Sequence, residues 1–156
     1  MPEKKYTDPR GMPAEERMTD AELRVVREFL GLTPEWLADH LGVSPRTVRH
    51  WEQGKYAIPD GVRLEVEDLE RRTGEFVSGI IEKLLEVPEP GIVTYRSDDD
   101  YHAAHPEIEF PASWHRAVVA RIAQEVPALR IAYADKVPTR VQTLAKALDA
   151  LPGRGE

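Results

Sequence analysis

Leu32-Thr33-Pro34-Glu35-Trp36-Leu37-Ala38-Asp39-His40-Leu41-Gly42-Val43-Ser44-Pro45-Arg46-Thr47-Val48-Arg49-His50-Trp51-Glu52-Gln53-Gly54-Lys55 decides how the rest of this chain is read. Thr33-Pro34 and Ser44-Pro45 are two helix starts of one kind. In each, a hydroxyl can accept from first-turn N–H groups, and the following proline lacks an N–H that would have had no partner there. Gly42 stands where the chain must leave the first helix, a position that favours positive φ and hence glycine. Leu37, Leu41, Val43, Val48 and Trp51 supply an inner apolar face, and Ala38 is small enough for the two helices to cross closely.

Arg46, Thr47, Arg49 and His50 are left outward on the second helix. A plain helical hairpin is the alternative, and it has no use for two arginines, a threonine and a histidine on one short face. As a helix-turn-helix, the second helix is fitted to a DNA major groove. Arg46 can give guanine a two-pronged contact worth roughly 1–3 kcal/mol of discrimination. Thr47 shares its turn, His50 can donate to a purine N7, and Arg49 reaches either a base or the adjoining phosphate. Thr33, Ser44, Gln53 and Lys55 border the helices where phosphates would be held, although Thr33 can equally be a cap and nothing more.

The ordered set of Ala38, Gly42, Val48 and the closing run Trp51-Glu52-Gln53-Gly54-Lys55 resembles the phage-repressor type (Xre-like) of helix-turn-helix regulator, over roughly residues 19–72. The resemblance implies a lambda-repressor-like N-terminal domain in which Pro45, Arg46 and His50 face base edges. It also implies a helix-one arginine seven positions before the residue that opens helix two. Counting back from Pro34 gives Arg27, so an Arg27–Glu52 ion pair is implied, which would partner a carboxylate on the inner side of the reading helix.

Charge and composition fit this once the chain is divided. The net charge is −7, yet residues 44–56 carry Arg46, Arg49 and Lys55 against Glu52 alone, while 13 acidic residues oppose 5 basic ones over 61–110. Phosphate affinity follows the local field, so an acidic body does not veto a basic reading helix. There is no cysteine, which excludes disulfides and thiolate metal sites. No long apolar run suggests a signal peptide or membrane span, and the expectation is a soluble cytoplasmic protein.

Residues 1–18 are polar and lack an apolar period, which predicts a flexible arm; Met18 is a second candidate start. Residues 19–87 are read as the helix-turn-helix domain with a long following helix. Thr19-x-x-Glu22 is a capping box, and Leu23, Val26 and Leu30 give helix one its stripe. A helix from Asp60 to about Glu86 carries Val62, Val66, Leu69, Thr73, Phe76, Ile80 and Leu84 at steps of four and three, with Gly74 and Gly79 permitting a bend. That stripe predicts a dimer seam, the alternative being packing on the chain's own second domain.

Pro88-Glu89-Pro90-Gly91 marks a boundary, and residues 91–151 are read as an α+β dimerisation domain. Strands are predicted at 92–96 and 129–133 and a short helix at 98–104. A helix follows Pro111 with Trp114, Val118 and Ile122 inward, and a last helix at 138–150 carries Val141, Leu144, Ala145 and Leu148. A two-stranded unit of this size is too small to be secure alone, so Tyr95, Trp114, Val118, Ile131 and Tyr133 are assigned to a core shared with a second copy. The fold class is therefore mainly α with a small α+β C-terminal part.

The Pro-rich hinge, the strand ending in Tyr95-Arg96, Asp100-Tyr101 and Trp114-His115-Arg116 make the C-terminal half similar to the anti-CRISPR-associated repressor class and to a related group of bacterial regulators. This implies a homodimer that represses its own operon from an inverted repeat; some members of the class also bind RNA. The alternative is an antitoxin whose C-terminal half masks a toxin. His102, His105 and His115 near Asp98, Asp99 and Asp100 raise a metal site, but Pro106 and Pro111 interrupt any common helix and no His-Glu-x-x-His spacing is present. They are read as surface histidines beside a charged cap; no catalytic residue, metal or cofactor is expected.

Overall fold

The computed structural model describes residues 17–136; the predictions for the N-terminal arm before Arg17 and for a helix at 138–150 lie outside them. The chain divides into two compact units between Arg71 and Arg72. In the first unit, α1 (Asp20–Phe29) opens on a complete capping box: Thr19 Oγ1 accepts from Glu22 N at 3.0 Å and Glu22 Oε1 accepts from Thr19 N at 2.8 Å. Thr33 and Ser44 cap α2 (Pro34–Leu41) and α3 (Pro45–Glu52) by accepting from Trp36 N and Thr47 N at 3.0 and 3.1 Å. Each such cap is worth about 1 kcal/mol. Gly42 ends α2 at φ 72°, in the left-handed region. Gly54, after α3, has φ +77°, so its backbone favours glycine; a Cβ there would lie 2.8 Å from Asp20 Oδ2, the end of an exposed side chain that can move aside.

Leu23, Leu37, Ala38, Leu41, Val48 and Trp51 are buried together, while Val43, expected inside, is only half-buried because it belongs to the turn. The long helix α4 spans Asp60–Leu85 and contributes to both units. Val62, Val66 and Leu69 lie in the core of the first unit; Thr73, Phe76, Ile80 and Leu84 lie in that of the second. The stripe expected to be a dimer seam is thus consumed within the protomer. Thr73, the polar member of that stripe, is explained by its partner: it accepts from Trp114 Nε1 at 3.0 Å in a buried hydrogen bond.

In the second unit, β1 (Gly91–Thr94) and β2 (Arg130–Tyr133) pair in parallel, Gly91 opposite Arg130 and Thr94 opposite Tyr133. Parallel strands require a long crossover, here supplied by α5 (Asp98–Ala104) and α6 (Ala112–Glu125). Pro111 cannot cap α6 with a side chain, and Asp98 of α5 does so instead, accepting from Ala112 N at 2.8 Å. Tyr95, Trp114 and Val118 are 2, 1 and 1% exposed within one chain, which corrects their assignment to a dimer surface. The crossover covers β1 and completes the core that two strands alone could not. Ile131, by contrast, stands 48% exposed on β2.

The histidines also differ from expectation. His115 is fully buried, its Nδ1 2.8 Å from Thr94 Oγ1, and His105 is 7% exposed with Nε2 3.2 Å from the Tyr95 hydroxyl. Both pack against the rings of Tyr95 and Tyr101. His102 bonds the Phe110 carbonyl at 2.8 Å. His105 and His115 are parts of an aromatic core rather than surface residues, because α5 and α6 fold over β1, while His102 is half-buried.

The first unit is fastened by Arg27 of α1. Its Nε and Nη2 donate to Glu52 Oε2 and Oε1 at 2.6 and 2.9 Å, and Nη1 donates to the Leu32 carbonyl at 2.8 Å. The two side chains are 9% and 8% exposed. Hydrogen bonding to Glu52 raises the guanidinium pKa, so Arg27 stays charged despite its burial. Removing one partner of such a pair leaves a buried uncompensated charge, at about 3–5 kcal/mol. Arg27→Ala is expected to lower the melting temperature by on the order of 10 °C or more. An Arg27→Met, Glu52→Leu double variant should recover much of that loss, since no lone charge remains. Thermal melts of the three proteins check this, and an unshifted Arg27→Ala midpoint contradicts it.

Candidate nucleic-acid interface

Helix α3 is two-sided by construction. Ser44 and Pro45 fix where it begins, and the buried Val48, Trp51 and Glu52 side chains fix its rotation. That rotation leaves Arg46 and Arg49 exposed and Pro45, Thr47 and His50 half-exposed. Gln53 and Lys55 are exposed just beyond its C-terminus, and Thr33 is exposed at the start of α2. Thr47 is held at its foot: Ser44 Oγ and Thr47 Oγ1 lie 2.9 Å apart. The structure therefore brings Pro45, Arg46, Thr47, Arg49, His50, Gln53 and Lys55 onto one helix and its exit. As caps, Thr33 and Ser44 accept backbone N–H bonds through their hydroxyl oxygens.

Arg46 Nε reaches His50 Nε2 at 3.5 Å, one helical turn on. The His50 ring lies 5.5 Å from that of Tyr56, tilted by 57°. Partial burial, then Lys55 and Arg46, push the His50 pKa below its ordinary value, so the imidazole is neutral at pH 7 and can accept from Arg46.

Two residues on this face carry no sequence motif. Tyr56, 62% exposed, extends the surface beside His50 from the loop after α3. Glu35, in the first turn of α2, is ion-paired with Arg49 across the turn. A tyrosine beside a basic residue is the only trace of the first. The second joins positions that no helical spacing relates.

No helix among the described residues is long and apolar enough to cross a membrane, and no three His, Asp or Glu side chains among them gather as metal ligands. The profile of a helix-turn-helix domain family matches residues 21–74. The chain is also similar to the Aca2 repressor of Pectobacterium phage ZF40, at 34% identity over 113 residues, 72% of this chain and 91% of that protein.

The state of His50 is directly measurable. In an NMR titration its midpoint should lie below that of an ordinary exposed histidine, and Lys55→Ala should move it upward. The sign follows from cause: removing a neighbouring cation favours the protonated ring. A midpoint at or above the ordinary value contradicts the packing around His50.

Proposed function

From its membership of the helix-turn-helix repressor family that includes Aca2, which makes this chain a DNA-binding transcriptional regulator, we propose a homodimeric repressor that reads an inverted-repeat operator and controls its own operon. The observation that carries the reading is the outer face of α3, where Arg46, Thr47, Arg49 and His50 stand free of the core between a capped start and an exposed exit. Arg46 reads a guanine, His50 and Thr47 read neighbouring base edges, and Pro45 packs at the groove wall. Thr33, Ser44, Gln53 and Lys55 position the helix on phosphates.

Selecting bound fragments from random duplex DNA and sequencing them tests this. A two-fold symmetric consensus with centres about 34 Å apart, or a multiple of that, is expected. Arg46→Ala should erase preference at one base pair per half-site. Lys55→Ala should weaken all duplexes alike and flatten the log–log salt dependence by about one unit. Unchanged specificity in Arg46→Ala would show that another residue reads that base.

A dimer follows from what one short helix can grip, because a single reader touches few base pairs and the acidic body adds little nonspecific attraction. In the second unit Ile131 is exposed on β2, where a partner copy can cover it, while the half-exposed Tyr133 carries Arg96 over its ring. The full chain should sediment as a dimer at micromolar concentration, and Ile131→Glu should shift it to monomer without unfolding it. A monomeric wild-type chain would sink the symmetric mechanism.

A further inference from the structure

We propose that Glu35 is a specificity-determining residue: by clasping Arg49 it keeps that arginine off the phosphate backbone and presents the rest of its guanidinium fork to a base edge. The inference rests on the reading of α3 as the DNA-reading helix and assigns Glu35 a part in it. Arg49 Nη2 donates to Glu35 Oε2, and the two side chains are 48% and 57% exposed. An ion pair so open to solvent adds little stability. Its effect lies in where it puts charge. A hydrogen bond from its own backbone N–H, then one from Arg49, hold the Glu35 carboxyl below its usual pKa, so the carboxylate is charged throughout the neutral range.

An unclasped arginine on a groove-facing helix is a flexible cation that any nearby phosphate can take, which raises affinity for every duplex alike. A clasped arginine brings little net charge but a fixed plane. Its remaining N–H donors can meet one base-pair edge in one register. Glu35 thus trades nonspecific affinity for discrimination.

The test is a double-mutant cycle on the full chain, using a fragment selected by the wild type and a random-sequence duplex as probes. Glu35→Ala should bind the random duplex severalfold more tightly, steepen its log–log salt slope by about one unit, and lower the ratio of selected to random affinity. In an Arg49→Ala background the same substitution should change none of these. Glu35→Gln, which keeps the side-chain shape at the start of α2, should act in the same direction. That covers the case in which Glu35→Ala weakens the helix. Unchanged random-duplex binding in both Glu35 variants overturns the proposal. So does an effect that persists without Arg49, which would make Glu35 a general repeller of phosphate. A wild-type chain that selects no sequence at all would overturn the DNA-reading function together with this inference, and is seen before any variant is made.

Discussion

One guanidinium sets the geometry of the first unit. Arg27 reaches from α1 to both oxygens of Glu52 at the end of α3 and to the carbonyl of Leu32 just before α2. The end of α1, the loop before α2 and the end of α3 are thereby tied at one point, with directional bonds that apolar packing does not supply. Leu37, Leu41, Val48 and Trp51 drive the helices together, but apolar contacts tolerate sliding. A two-pronged arginine–carboxylate pair does not. The rotation of α3, and so the direction in which Arg46 and His50 face, depends on this bond. Lysine could not replace Arg27, having a single charged point and no fork.

Much of this was legible because it is local. Thr19, Thr33 and Ser44 cap helices by rules that involve only their own next three residues, and Gly42 answers to a backbone angle. The start of α5 follows from its leading acids, and that of α6 from Pro111. The Arg27–Glu52 pairing came from a spacing that a related fold imposes, not from either residue. What could not be read is which surfaces meet. The apolar period of α4 announces a buried face without saying what buries it, and each unit uses part of that stripe. Likewise Tyr95, Trp114 and Val118 declare themselves buried, and only the parallel crossover shows that their own chain suffices. The burial of His105 and His115 is hidden for the same reason, since nothing nearby in sequence reveals that aromatic rings enclose them.

Electrostatics divides along similar lines. The chain is acidic as a whole, while the stretch around α3 is locally basic, with Arg46, Arg49 and Lys55 against Glu52. Even there one carboxylate, Glu35, is set against Arg49. A surface of that kind has weak attraction for DNA in general. Recognition then depends on shape and hydrogen bonding at short range, with little help from long-range attraction.

The two faces of α3 share no duties. Val48, Trp51 and Glu52 hold the helix in place, and none of them is accessible to a groove; Arg46, Arg49 and His50 meet solvent, and none of them supports the core. Substitutions on the outer face therefore escape the penalties that constrain the inner one. If the outer face reads DNA as proposed, such a protein can change the sites it occupies over evolutionary time while its scaffold stands still. A lineage of such regulators could then diverge in target while remaining alike in architecture, and an engineer could redirect one by rewriting three or four exposed positions.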